Sequence, residues 1–493
     1  MPRSHAQLRD ALPRARELLL LCAARGLAGL GAYATGFRAL SDDDYARITI
    51  AQRFAEAARF DPSRTSWLPA PFWLYGAAFR IFGSELVVAR TLAVLLGVGA
   101  TVLVYIAARL LGAPRLGALA GAAFSTFLPY SALLGLAAVP EVPCAALILL
   151  GCATLARPDP RLRALGGLAL ALACLSRYEA WPVAGVFAGC TLWDALKRRS
   201  LLPGAALALS GPALWLLVGR VEHGRALFFV TRVASYRRAL GPSAAGGSLV
   251  TRLIEYPGLL LRAEPEVWLV LAVVTVAAWR VAERGLLAPY LRAGLALFAL
   301  LAFMIVGSVR DGVPTHHAAR VFLPIWFFAC ALCGHGLEQA RRHSARGSRA
   351  RLLGLSLAAL IAGLLLRSKL LPQEGFADRR LELAAGGEAK RRALPPVCID
   401  TPDYGYLAVQ AAYGSPGRSR VLDAHDPREA RPADPFASRA ALANALAQNG
   451  AEFLVASRAH WAVASESCRS LWQNDGFALF DCSGTASARA RGP

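Results

Sequence analysis

What most constrains this chain is a series of apolar stretches separated by short, arginine-rich joints. Several of them, such as 17–40, 85–111 and 352–366, reach or approach the ~18–20 residues a helix needs to cross a hydrocarbon core. A chain of 493 residues, 56% hydrophobic and 18% charged, is therefore read as a polytopic membrane protein rather than a string of soluble domains. The apolar runs are continuous, not alternating, which excludes a porin-type barrel. With 44 Gly, 29 Pro and 10 Cys, the composition also excludes a collagenous fibre, intrinsic disorder and a small disulfide scaffold.

About eleven spans are predicted, at 17–40, 85–110, 115–135, 140–156, 163–177, 181–196, 201–219, 265–282, 290–308, 320–339 and 351–369. The chain carries 54 Lys plus Arg against 33 Asp plus Glu, a net charge of +21. In a soluble protein that excess would suggest nucleic acid. Here much of it sits in short joints, so no nucleic-acid partner is expected and the charge reports topology. Threading eleven spans puts the clusters at Arg3 to Arg16, Arg109 and Arg115, 157–163, 197–199, 280–292 and 341–351 on one side, which the positive-inside rule makes the cytoplasm. The basic start followed by an apolar run reads as a signal anchor. The opposite, extracytoplasmic face then receives loops 41–84 and 219–264, the turn around Glu141, the 176–181 junction, 309–319 and a tail from about 371. Residues 1–370 form the membrane domain and 371–493 the tail domain.

The tail changes composition abruptly. Short strand candidates at 397–400, 420–423, 453–456 and 477–480 alternate with helix candidates at 404–412, 438–448 and 465–472, which predicts a small α/β domain. It contains no GxGxxG and no P-loop. Seven cysteines lie in apolar runs and read as small core residues. The Cys330-x-x-Cys333 spacing lacks the further ligands of a zinc site. Cys468 and Cys482 are candidates for a disulfide if the tail is extracytoplasmic.

The polar residues that interrupt this pattern carry the chemistry. Directly after the first span stand Asp42, Asp43, Asp44 and Tyr45. Three adjacent carboxylates repel one another and favour a nearby cation, a metal or a proton-accepting role. The bland alternative is a helix cap, which explains one aspartate better than three. An amphipathic helix to about Phe60 follows, then an aromatic, proline-punctuated stretch at 67–80 that fits a headgroup-level anchor. Glu141 sits in a Pro-Glu-Val-Pro turn. Arg177 and Glu179 interrupt some thirty apolar residues, where ionisable groups are paired or functional; an internal pair and a phosphate-binding Arg177 both fit. Arg220, Arg225, Arg232, Arg237, Arg238, Arg252 and Arg262 lie on a face where topology predicts few cations, which suggests phosphate binding. His316 and His317 precede Arg320 at the outer end of the tenth span.

This arrangement resembles the C-type (GT-C) superfamily of integral membrane glycosyltransferases, and within it the bacterial relatives of protein O-mannosyltransferases and lipid A aminoarabinose transferases. The resemblance rests on the acidic motif after the first span, the amphipathic helix, the Pro-Pro-aromatic segment, Phe82-Gly83 leading to Arg90, Pro140-Glu141, Ser176 to Glu179, and His-His-x-x-Arg at a late span. It covers roughly residues 17–340. It implies a mainly α fold in the bacterial inner membrane and a polyprenyl-phosphate-linked sugar donor lying among membrane lipid. The sugar would pass to a glycan, lipid or protein acceptor on the extracytoplasmic face. An aspartate would act as general base: Asp43 first, then Asp42 or Asp44, because members commonly carry Asp-Glu where this chain has three aspartates. The departing lipid phosphate would meet Arg177, Arg320, or loop arginines such as Arg237 and Arg238. A divalent metal, Mg or Mn, held by Asp42, Asp43 and Asp44 would serve the same end. Tyr45, Glu141, Glu179, His316 and His317 are further substrate-contact candidates.

Two other classes compete. A secondary transporter or lipid flippase would carry mid-span charges and an inverted repeat; charges here collect at outer ends and no repeat is evident. A non-catalytic assembly subunit would use the tail as its binding module and tolerate loss of the aspartates.

Overall fold

The computed structural model describes residues 10–39, 41–239, 248–279, 288–310, 318–343, 346–370, 378–400, 403–422 and 433–484. The first predicted span forms α1 (Ala15–Ala34). Two helices outside the span set follow, α2 (Ser41–Glu56) and α3 (Ala70–Phe82). The next spans are α4 (Leu86–Leu110), α5 (Arg115–Phe127) with α6 (Pro129–Leu134), α7 (Glu141–Thr154), α8 (Pro160–Cys174), α9 (Ala180–Ala195) and α10 (Leu202–His223). After α11 (Phe228–Ala239) and α12 (Leu249–Ala263) come α13 (Pro265–Trp279), α14 (Ala288–Val309), α15 (Leu323–His343) and α16 (Arg346–Leu370). Each predicted span contains a helix among the described residues. Six helical segments among the described residues are long and apolar enough to cross a membrane: α1, α4, α10, α14, α15 with its 3-10 lead-in, and α16. The protein is a multi-pass membrane protein; eleven crossings is a larger number than helix length alone supports.

Local chemistry explains the helix boundaries. Asp159 caps α8 by accepting from the backbone N–H groups of Arg161 and Leu162 at 3.0 and 3.1 Å, and Pro160 fills the first position, where its missing N–H costs nothing. The predicted third span is one helix in the sequence reading but two in the structure. Leu128, held extended (ψ 132°) by the following Pro129, separates α5 from α6. Loop 219–264 likewise turns out to hold two helices. α12 buries Tyr256, Leu260 and Ala263 while Leu249, Val250, Leu253, Ile254 and Leu261 stay exposed, a distribution that suits a lipid-facing helix.

Small residues let helices of the bundle approach closely. Gly117 and Gly121 on α5 meet Gly334 on α15 so tightly that a Cβ on Gly334 would lie 2.2 Å from the Gly117 carbonyl oxygen, the small-x-x-x-small mode of membrane helix packing. One charge departs from the outer-end pattern. Arg25, midway along α1, is only 2% exposed and donates to the Ser131 carbonyl at 2.8 Å and to Thr101 Oγ1 at 3.3 Å.

The tail begins with α17 (Arg380–Arg391) and forms β1 (Val397–Ile399), α18 (Tyr406–Tyr413), β2 (Ser419–Val421), α19 (Arg439–Gln448), β3 (Phe453–Ser457), α20 (Trp461–Ser465), β4 (Arg469–Gln473) and β5 (Phe477–Asp481). The strands make one sheet ordered β2-β1-β3-β5-β4, parallel across β2, β1 and β3 and antiparallel from β3 to β5 and β5 to β4. The α/β expectation holds for this domain, with one correction: 465–472 was expected helical, and its second half is strand β4. The Asn474-Asp475-Gly476 turn dictates this. Asn474 Oδ1 accepts from the N–H groups of Gly476 and Phe477 at 2.9 and 2.7 Å, and the Asn474 N–H donates to the Phe477 carbonyl at 2.8 Å, closing a tight hairpin. A disulfide between Cys468 and Cys482 closes the other end of the hairpin.

Candidate active site

An α-helix rotates about 100° per residue, so three consecutive side chains at its start must diverge. That rotation decides the fates of the three aspartates. Asp44 points inward and is fully buried; its Oδ2 takes the Arg90 guanidinium of α4 at 2.6 Å and its Oδ1 takes the Ala138 N–H at 2.8 Å. Asp42 points toward the tail, where Arg379 grips it bidentately, Nε to Oδ1 at 3.0 Å and Nη2 to Oδ2 at 2.9 Å. Asp43 projects between these directions. Its side chain is 41% exposed, and Arg320 Nη1 lies 3.7 Å from its Oδ2.

Around Asp43 the fold gathers charges from four separate elements. Arg47, one helical turn further along α2, shares its face and interacts electrostatically with Glu141, Asp43, Arg177 and Arg320. Burial pulls the Arg47 pKa down from its ordinary value, Glu141 and Asp43 oppose that, and Arg177 and Arg320 reinforce it. The guanidinium also lies over the Trp67 ring, 4.4 Å from its centroid, a cation–π contact. Arg177, in the turn between α8 and α9, is paired with both Glu179 and Glu141. Glu141 opens α7 and is 4% exposed; Arg320 belongs to the 3-10 turn Ala318–Phe322 and is 3% exposed. The site thus holds Arg47, Arg177 and Arg320 against Asp43, Glu141 and Glu179, with Asp43 its most accessible carboxylate.

Several sequence expectations change here. Tyr45 was expected to contact substrate, but it is 1% exposed and packs with Tyr75, Phe79, Ala408 and Ala411, so it is a core residue. Of the two readings of Arg177, the structure displays the internal pair, since two carboxylates already engage it. Arg237 and Arg238 fall in the last turn of α11, and their side chains lie outside the described residues, as do His316 and His317. A metal held jointly by Asp42, Asp43 and Asp44 does not fit: two of the three carboxylates are occupied by guanidinium groups and all three point apart.

Among the described residues a different trio, Asp61, Glu222 and His223, brings its ligand atoms within 4.8 Å of one another. It borders a cavity of about 610 Å³ that Arg59, Arg64 and Arg232 also line. Asp61 is already satisfied there, accepting from Ser63 Oγ, the Arg64 N–H and His223 Nε2. The His223–Asp61 contact at 2.9 Å ties the end of α10 to the segment between α2 and α3.

Sequence reasoning missed Arg47 and Arg379. Arg47 was detectable, because it stands four residues after Asp43 on a predicted helix. Arg379 was not, because 337 residues separate it from Asp42.

Comparison with known proteins now adds to this geometry. Residues 64–218 match the family described as dolichyl-phosphate-mannose-protein mannosyltransferase. The crystal structure of ArnT from Cupriavidus metallidurans in the apo state superposes with a TM-score of 0.57 at 14% identity, over 91% of this chain and 95% of that one. The same protein bound to undecaprenyl phosphate gives 0.55 at 15%, over 94% and 97%. The chain has the fold of these ArnT structures over nearly its whole length. No curated protein matches it by sequence. The match to ArnT spans the membrane helices and the tail together, so the α/β domain is part of the shared architecture and not an appendage peculiar to this chain.

Proposed function

We propose that the protein transfers a sugar from a polyprenyl-phosphate donor to an acceptor on the extracytoplasmic face, with Asp43 as general base. The observation that carries this reading is the exposed carboxylate of Asp43 beside two arginines, Arg47 and Arg320, in a chain that shares its fold with a protein crystallised with undecaprenyl phosphate. In the proposed step an acceptor hydroxyl or amine attacks the anomeric carbon, and Asp43 takes its proton. The bond from that carbon to the phosphate oxygen breaks, and the electron pair leaves with the lipid phosphate. Arg320 and Arg47 offset the charge that develops there. Arg177, neutralised by Glu141 and Glu179, holds the floor of the site. The Cys468–Cys482 disulfide supports an extracytoplasmic tail, because such bonds persist in oxidising compartments.

The test is transfer of radiolabel from a panel of polyprenyl-phosphate sugars to endogenous acceptors in membranes bearing the protein. Asp43→Asn is expected to lower turnover on the order of 10²- to 10⁴-fold while polyprenyl phosphate still binds. Undiminished turnover in that variant would remove the base from the mechanism.

A further inference from the structure

The contact between the tail and the acidic helix is more elaborate than docking requires. Along one side of α2, Asp42 is gripped by Arg379, Gln52 Nε2 donates to the Ala411 carbonyl at 2.9 Å, and Glu56 Oε2 accepts from the Gly417 N–H at 3.1 Å. Ala408 and Ala411 of α18 pack against Tyr45, Ile48 and Ala51. The opposite side of α2 presents Asp43 and Arg47 to the site. We propose that Arg379 is a positioning residue for glycosyl transfer, supplied by the C-terminal domain to fix the first turn of α2 so that the neighbouring Asp43 carboxylate is aimed at the acceptor.

The geometry supports this beyond simple adhesion. A planar guanidinium that binds both oxygens of a carboxylate fixes its orientation as well as its distance. Arg379 is itself immobilised, its Nη1 donating to Glu382 Oε1 at 2.9 Å and to Asp403 Oδ2 at 3.0 Å. Asp42 is the residue immediately before the proposed base, so a change in its direction rotates the turn that carries Asp43. By contrast Lys390, which pairs with Glu85, holds the same two parts together at a site far from the acidic turn in sequence.

The inference rests on the glycosyl-transfer reading, and its test separates the two. The full-length protein is assayed for transfer from a polyprenyl-phosphate sugar, and the active fraction is counted by titration with polyprenyl phosphate. Arg379→Ala is expected to lower kcat on the order of 10- to 100-fold at full binding stoichiometry, with KM for the donor little changed. Arg379→Lys should recover part of the loss, and Lys390→Ala should behave as wild type. Because Arg379 acts through Asp42, the Asp42→Ala, Arg379→Ala double variant should be no slower than the worse single variant. Wild-type kcat in Arg379→Ala, or losses that multiply in the double variant, would overturn the positioning role. If Asp43→Asn is inactive while Arg379→Ala is fully active, only this inference falls; if Asp43→Asn retains full turnover, Asp43 is not the base and the inference falls with that assignment; if the wild-type protein transfers no label from any donor, the transferase reading itself falls.

Discussion

At the scale of single residues, the three aspartates show how one short motif is divided by helical rotation. Asp44 is the structural member. Its side chain is fully buried and paired with an arginine that is 28% exposed, so removing one partner leaves a buried charge uncompensated. Arg90→Ala is expected to destabilise the protein by ~2–4 kcal/mol, read as a lowered midpoint of thermal unfolding in detergent. Asp43→Asn, exposed and lightly paired, should leave that midpoint within about 0.5 kcal/mol of wild type. The acidic motif was legible in the sequence because three adjacent carboxylates after a span are costly without a use. Which of them faces the site was not legible, because that depends on where Arg90, Arg320 and Arg379 arrive from distant parts of the chain.

At the scale of elements, the sequence announced helices well and their subdivision poorly. Apolar runs located the six described helical segments long enough to cross a membrane, since hydrophobic length is a local property. The break at Leu128 was also local, and Pro129 signalled it. Strand β4 is the instructive miss. Ser465 to Trp472 has no strong helix breaker, and only the Asn-Asp-Gly turn after it turns the segment back onto β5. Packing between helices was invisible in outline but legible in its spacing, because Gly117 and Gly121 stand four residues apart on one face of α5. Gly334→Ala would drive its Cβ into the Gly117 backbone. An expected cost of roughly 1–3 kcal/mol follows, checked by unfolding of the purified variant and by the reach of a cross-linker between α5 and α15.

At the scale of the whole molecule, two regions of very different composition build one site. The segments between and at the ends of the membrane helices bring Glu141, Arg177 and Arg320 to the side of Asp43, and the tail reaches α2 through Arg379. The hairpin β4–β5 is stapled across a sequence separation of 14 residues, a loop whose closure contributes about 3 kcal/mol in the chain-entropy view. Reduction, or Cys468→Ser with Cys482→Ser, is therefore expected to lower the stability of the tail by up to that amount, seen as earlier protease cleavage within 433–484. The orientation has its own check. A cysteine introduced at the exposed Ser483 of the disulfide-free variant should react with an impermeant reagent in intact cells; protection would place the tail in the cytoplasm and reverse the topology.

The ion pair between Asp42 and Arg379 has a further consequence for biosynthesis. The acidic helix leaves the ribosome early, and its guanidinium partner follows 337 residues later. Throughout that interval Asp42 lacks the guanidinium that later holds it, although the Arg90 partner of Asp44 is made soon after the helix. The grip of the tail on the first turn of this helix can form only late in translation, so a product clipped before the tail would lack it.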